Sequence, residues 1–416
     1  MLKLLAVANP FPWSGGNYRA MKSLINYPSF GIKPYLLLPS VDYESYDVNF
    51  ISTLVAKGVD VVGCLGYNPK GVITARIRAL LHPLIPKVLT HVNLKDLPSD
   101  VNAVLSFHEF WEALWVTQFV ASKMGKPSIA VLQLPPFYAS KNRLRALRQA
   151  IKIYYNSLYG SNNIKGVVTR TYLNALNMLH SRRSAGILKK YSFIIGISKA
   201  ICVETGLNPS SRVYCMDPGV TLDDEDLKLI NEVRDRFREK KNYVVFGGRP
   251  AVDKGIAEGL LAFKKITERF NSCKLYITGK VRSRVVNRLL KFAKRLSIED
   301  KIVFAGFIPR KERFRIVREA KLVLYPSHVD GFPYAIAESL LLNTPVVAYD
   351  IPAIDIYYRG LEGVKIVKEL DVNAMVDEAI NILSSNKVEV EKPKLRLWNE
   401  IIEEEINLIK HVASKS

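Results

Sequence analysis

Two carboxylates, Asp330 and Glu338, stand eight positions apart in SHVDGFPYAIAE, and two cations, Arg249 and Lys254, stand five apart in GGRPAVDKG. A carboxylate only accepts hydrogen bonds, so a pair of them on one crevice suits the vicinal hydroxyls of sugars, which can both donate to one group. A guanidinium and an ammonium in a loop opened by glycines suit a diphosphate, more so where a helix start adds its positive end. Each motif alone also has a plainer reading. Arg249 and Lys254 read as solvated surface charges, and Asp330 and Glu338 as acids set against the dipole of a helix N-terminus.

These loops sit between short apolar strands and amphipathic helices. NYVVFGG, KLYITG, KIVFAG, LVLYP and TPVVAYD read as buried strands. GIAEGLLAFKKITERF, the basic run from Arg282 to Leu296, the run from Arg310 to Ala320 and YAIAESLLLN read as the helices between them. Strands alternating with helices predict a parallel sheet covered on both faces, with ligands bound beyond the carboxyl ends of the strands. The first half opens alike: KLLAVANP, KPYLLLP, VDVVGC, NAVLSF and SIAVLQ are strands, and a Gly15-Gly16 loop leads into a helix from about Tyr18 to Asn26.

At 416 residues the chain exceeds one ordinary core, and 48% apolar with 24% charged residues is the composition of a globular protein. The expected organisation is one domain over 1–220, a charged linker over 221–241, a second domain over 242–394 and a terminal helix over 395–416 that packs back on the body; the resemblance given below makes the first the acceptor-binding and the second the donor domain. Cys64, Cys202, Cys215 and Cys273 are scattered among apolar residues with no CxxC pair, so they read as small core residues suited to a reducing compartment. No apolar run reaches the ~18 residues of a membrane span, and the apolar core of MLKLLAVANPFPW is too short for a signal peptide.

The net charge of +21 is uneven. No acid occurs between Glu112 and Glu204, where 14 Lys or Arg stand. That asymmetry predicts an anionic partner for the first half. Lipid head groups and nucleic acid both qualify, although no nucleic-acid module is recognisable. ASKNRLRALRQAIKIYYNSLYG places Arg143, Arg145, Arg148 and Lys152 beside Leu147, Ile151, Tyr154 and Tyr155, the pattern of a helix lying in a membrane interface.

Taken in order, GGRPAVDKG, AGFIPRKE and DGFPYAIAESLLLNTPVVAYD resemble the donor domain of the retaining glycosyltransferase family 4 group, the glycosyl transferases group 1 with the GT-B fold. NPFPWSGGNYRAMKSL resembles that family's first Gly-Gly loop. IGISKAICVETGLNPSSRVYCMDPGVTLD, with Pro218-Gly219-Val220, resembles the end of its acceptor domain. The resemblance implies an α/β fold of two Rossmann-like doubly wound domains facing across a cleft. It implies that Arg249 and Lys254 hold the diphosphate of a nucleoside-diphosphate sugar, that Asp330 contacts the transferred sugar and that Glu338 holds the ribose. Gly248, Gly306, Phe307, Gly331 and Phe332 would complete the donor site.

Gly15, Gly16, His108 and Gln133 are the cleft and acceptor candidates. Asp330 stands where the family has Glu, and Gln133 falls in a segment where many relatives carry His. The expected enzyme is a hexosyl- or other glycosyltransferase, retaining and metal-independent, with no cofactor and no metal ligands. The expected acceptor is a lipid-linked glycan or glycolipid, met by a cytoplasmic protein peripheral at the inner membrane face. Another enzyme of this fold, a nucleotide-sugar epimerase or a phosphorylase, is the alternative, and a basic nucleic-acid-binding protein is a more distant one.

Overall fold

Among the described residues, thirteen short strands form two parallel sheets. The computed structural model describes residues 1–11, 15–38, 48–64, 94–136, 141–385 and 387–414. Among these the strands are β1 (Leu2–Val7), β2 (Ile32–Leu38), β3 (Asp60–Cys64), β4 (Ala103–Ser106), β5 (Ser128–Leu132), β6 (Phe193–Gly196) and β7 (Val213–Cys215) of one sheet. The other holds β8 (Lys241–Phe246), β9 (Lys274–Thr278), β10 (Ile302–Gly306), β11 (Ala320–Tyr325), β12 (Val346–Tyr349) and β13 (Val364–Val367). The described helices are α1 (Gly15–Asn26), α2 (Val48–Ala56), α3 (Trp111–Met124), α4 (Lys141–Tyr159), α5 (Ile164–Leu188), α6 (Lys199–Thr205), α7 (Asp224–Arg236) and α8 (Ile256–Arg269). They continue with α9 (Ser283–Arg295), α10 (Arg310–Glu319), α11 (Tyr334–Leu341), α12 (Pro352–Tyr358), α13 (Val372–Ser384) and α14 (Trp398–Ala413).

The sheet orders are β3-β2-β1-β4-β5-β6-β7 and β10-β9-β8-β11-β12-β13, every pairing parallel. Both orders reverse direction after the first strand of the domain, β1 beside β4 in one and β8 beside β11 in the other. That reversal opens a crevice at the strands' carboxyl ends, where doubly wound sheets bind ligands. Two Rossmann-like units of the GT-B type follow from these orders.

The first unit comprises Met1–Ala139, Ala175–Val220 and Trp398–Ser416. Part of its core is Leu5, Val7, Val104, Val116 and Val120, the central strands packed on α3. The terminal helix α14 buries Ile401, Ile402, Ile406 and Ile409, while Leu397, within the expected helix limits, lies before the helix and is exposed. An ion pair with both side chains almost inaccessible holds α14 in place: Arg19 Nη2 donates to Glu405 Oε2 at 2.6 Å. Arg19 Nε donates to Gly219 O at 2.6 Å and Tyr27 gives its hydroxyl proton to Glu405 Oε1 at 2.8 Å. Glu405 thus has both oxygens engaged, whereas Arg19 Nη1 is buried with no hydrogen-bond partner among the described residues.

The cysteine reading needs correction. Cys202 on α6 and Cys215 on β7 form a disulfide, 6.3 Å between Cα atoms, which closes the turn from α6 back to the sheet edge. Their separation of 13 residues carries no sequence signature; the return of β7 onto β6 brings them together. Cys273 is a free buried thiol, as expected, and the side chain of Cys64 lies outside the described residues.

The second unit comprises Ser140–Asn174 and Thr221–Leu397. Two segments depart from the expected domain limits. The helix α7, expected in a linker, belongs to this unit and packs on α10. The helix α4, expected in the first domain, packs on α8 and α9, with Tyr154 joining Phe246, Leu260, Phe263 and Ile277 in the core. Leu147, Ile151 and Tyr154 are buried there, so the apolar side read as a membrane-facing stripe is covered by protein. Arg145, Arg148 and Lys152 on its other side are exposed, and the side chain of Arg143 lies outside the described residues. Among the described residues no helix is long and apolar enough to cross a membrane.

Candidate functional site

The loop after β8 and the loop after β11 emerge side by side at the reversal point of the second sheet. Gly247 is forced by contact: a Cβ there would lie 2.5 Å from the Tyr325 ring. Gly255 has φ +68°, and a Cβ would sit 2.0 Å from Pro326 O, so only glycine lets α8 start this close to the β11 loop. Between these glycines stand Arg249 and Lys254, both singled out by the sequence.

Lys254 Nζ donates to Asp330 Oδ2 at 2.7 Å and to Val329 O at 2.8 Å. Tyr325 donates its hydroxyl to the same Asp330 oxygen at 2.6 Å, and burial, then the Asp330 charge, push that phenol well above its usual range. Thus the structure brings Lys254 and Asp330 together as a half-buried pair with one carboxylate oxygen doubly engaged. Arg249 is 52% exposed at the side chain, paired with Asp253 Oδ2 at 3.0 Å, and its guanidinium remains reachable from solvent. A surface pair of this kind holds a side chain loosely.

His328, for which the sequence offered no role, pins this loop from behind. Its Nδ1 lies 3.0 Å from Glu369 Oε1 and its Nε2 3.0 Å from Glu258 Oε1, and its backbone N–H donates to Asp253 O at 2.9 Å. Burial alone would lower its pKa, but the two carboxylates overcome this and raise it to about 9. The ring is therefore an imidazolium bridging α8 and the segment after β13.

Glu338 on α11 is 7% exposed at the side chain and engages Arg313 of α10 through both oxygens, Nη2 to Oε1 at 2.8 Å and Nη1 to Oε2. Sequence reading missed Arg313, whose only signal was a cation in a helix face otherwise expected to pack. The neighbouring Arg310 pairs with Asp226 of α7; burial lifts that carboxyl to about 6 against the pull of Arg310. Tyr358, buried, lies within the field of both Asp330 and Glu338, and burial with those charges raises its hydroxyl well above the usual range.

The remaining donor candidates divide. Gly248 (φ +102°) and Gly306 (φ +69°) take left-handed or related conformations at the ends of β8 and β10. Phe307 is 63% exposed at the mouth of the β10 loop, free to stack on a flat ligand. Phe332 is buried against Tyr334, Tyr357 and Tyr358, which makes it a prop for the Gly331 turn instead of a contact surface.

In the first unit Gly16 lies against Gln133, where an added Cβ would meet the Gln133 Cβ at 3.1 Å. The Gln133 side chain is buried with neither amide atom hydrogen-bonded to protein. Gly15 opens α1 beside it. His108, at the end of β4, accepts a hydrogen bond at Nε2 from the Asn9 N–H at 2.6 Å, and burial lowers its pKa to about 4. A neutral ring so tied bridges the ends of β1 and β4 and presents no free Nε2.

Comparison with known proteins bears on the family of the second unit and on the fold. Residues 230–396 match the family described as Glycosyl transferases group 1. An uncharacterised glycosyltransferase of Methanocaldococcus jannaschii is 28% identical over 167 residues, 38% of this chain and 42% of its own length. Alpha-D-kanosaminyltransferase of Streptomyces kanamyceticus is 25% identical over 125 residues, 30% of this chain and 32% of its own. The chain thus spans less than half the length of these curated relatives. Among solved structures, sucrose-phosphate synthase of Thermosynechococcus elongatus shares the fold at a TM-score of 0.67 and 14% identity, covering 100% of both chains. Anabaena HepE, solved with UDP-glucose, does so at 0.57 and 15% identity, covering 92% of this chain and 90% of its own.

Proposed function

We propose that the protein is a retaining glycosyltransferase of the family 4 type, moving a sugar from a nucleoside-diphosphate sugar to an acceptor hydroxyl. The observation that carries this reading is the Lys254–Asp330 pair at the reversal point of the second sheet, with Arg249 reachable beside it. Binding a diphosphate would draw Lys254 and Arg249 onto its oxygens and leave Asp330 to accept from a sugar hydroxyl. Glu338, with lone pairs left on its outer edges beside the Arg313 fork, suits a ribose hydroxyl.

In the reaction the bond from the sugar's anomeric carbon to the β-phosphate oxygen breaks, and a bond to the acceptor oxygen forms on the same face. The acceptor proton passes to the departing phosphate, so no protein nucleophile is required. Arg249, Lys254 and the N-terminal end of α8 stabilise the charge growing on the leaving group, an electrostatic contribution made by preorganised cations. Those cations supply the neutralisation that a metal provides elsewhere, so turnover is metal-independent in this reading.

The acceptor in this reading is a lipid-linked glycan or glycolipid, reached by a protein peripheral to an anionic membrane. Supporting it are the acid-free run between Glu112 and Glu204 and the exposed Arg145, Arg148 and Lys152 on α4. Each cation near such a surface contributes ~1 kcal/mol. A thermal-shift screen against UDP, GDP, ADP and their sugars, followed by transfer and hydrolysis assays, tests the donor claim; no shift with any nucleotide would end it. Co-sedimentation with anionic and neutral vesicles tests the membrane claim. Binding should need anionic lipid, fall with salt and weaken in the R145E/R148E/K152E variant. Equal recovery from both vesicle types would remove it.

A further inference from the structure

Glu338 is not a free acceptor awaiting a ligand. Both of its oxygens are already occupied by one guanidinium, that of Arg313, in the two-point geometry that fixes a carboxylate most firmly. Arg313 stands on the helix following β10, and a second pair, Arg310 with Asp226, lies beside it in the same unit. The burial of Arg313 is set against the charges of Glu338 and Asp226, which favour its cation, while Arg310 opposes it. Four charges of alternating sign thus lock α7, α10 and α11 together around one carboxylate.

A carboxylate offers about four lone-pair positions, and a fork-like guanidinium takes one on each oxygen. The other position on each oxygen stays available on the outer edges of the carboxylate, and these two point away from each other. A cis-diol can therefore meet only one outer edge, and it does so at full strength only if the carboxylate is already fixed. A carboxylate free to rotate would lose part of the binding in ordering itself.

We propose that Arg313 is a positioning residue for the nucleotide site, holding Glu338 as a rigid acceptor for the ribose diol. This rests on the donor reading above and deepens it: discrimination for ribose over a sugar lacking the diol resides in the Arg313–Glu338 pair, not in Glu338 alone. The diphosphate clamp of Arg249 and Lys254 lies on other loops and is left untouched by Arg313.

Calorimetric titration with UDP and with 2′,3′-dideoxy-UDP, and with the corresponding pair of whichever base the thermal-shift screen selects, tests this. The wild-type protein should prefer the ribose form at least about tenfold, the size of ~1.4 kcal/mol. R313L should reduce that preference below about threefold while binding the dideoxy form as the wild type does. R313K, which keeps the charge but loses the fork, should fall between. E338Q separates the two claims. If E338Q abolishes the preference and R313L keeps it, Arg313 has no positioning role and the donor reading stands. If E338Q also keeps it, Glu338 does not meet the diol and the ribose assignment itself fails. Tighter binding of the ribose form by R313L would show that Arg313 competes with the diol, which overturns the proposal as well. Should R313L fold poorly by circular dichroism, the R313K and E338Q titrations decide the matter between them.

Discussion

Replacing His328 by glutamine should cost stability at low pH and progressively less as pH rises. The ring sits between Glu258 and Glu369 with a pKa raised from 6.5 to about 9. A group whose pKa is raised on folding contributes stability that is complete below the unfolded pKa and is lost as pH climbs through the folded one. The shift of about 2.5 units, at 1.36 kcal/mol each, makes the contribution about 3 kcal/mol below pH 6.5, gone by about pH 9 to 10. Lys240 works in the opposite sense. Burial, with Arg318 nearby, lowers its pKa from 10.5 to about 7, so its contribution to stability improves as pH rises from 7 toward 10.5. Between pH 7 and 9 the two slopes nearly cancel, and the wild-type curve should look flat. Only the difference between wild type and H328Q isolates the histidine. Urea unfolding followed by far-UV circular dichroism at pH 6 to 10 measures it. Tryptophan fluorescence follows the first unit separately, because the described tryptophans, Trp111, Trp115 and Trp398, all belong there. The gap between wild type and H328Q should be about 3 kcal/mol or more at pH 6 and narrow by about that amount at pH 10. A gap of constant size across the range would refute the imidazolium assignment.

Other outcomes follow from the same geometry. Hydrogen bonds to charged groups contribute ~1.5–3 kcal/mol, so R249A and K254A should each lose about tenfold to a hundredfold in kcat/KM, measured with saturating acceptor; wild-type kinetics in both would remove the diphosphate assignment. Turnover should persist in excess EDTA if the two cations do the neutralising, and complete loss restored by Mg²⁺ or Mn²⁺ would count against that mechanism. Because the Cys202–Cys215 link closes a loop of 13 residues, C202S/C215S should lower the stability of the first unit by about 3 kcal/mol, read from the fluorescence-detected urea midpoint. An unchanged midpoint under oxidising conditions would mean that the link contributes nothing in solution.

The alternation of short apolar strands with amphipathic helices was enough to define two doubly wound parallel sheets, because side-chain periodicity is a local property of the chain. Helices α8, α9, α10 and α11 fell within a residue or two of their expected limits for the same reason. That Arg249, Lys254 and Asp330 stand in loops at strand ends and Glu338 on the helix that follows was legible, because glycines and a proline around them mark turns. What those side chains touch was not legible. The Lys254–Asp330 and Arg313–Glu338 pairs join residues 76 and 25 positions apart, and only the neighbouring of β8 with β11 and the packing of α10 near α11 decide them.

The role of His328 likewise depends on Glu258 and Glu369, which come from two other elements. The helix α4 shows the limit most clearly. Its sequence states that one face is apolar and the other basic, and a membrane or a protein core satisfies that pattern equally well. Tertiary packing against α8 and α9 chose the core, moving the helix from the expected first domain into the second unit. The disulfide is of the same kind, since two cysteines with no local signature become partners only when β7 returns beside β6. Local pattern sets what each segment buries, whereas the identity of its partner is a property of the whole chain's path.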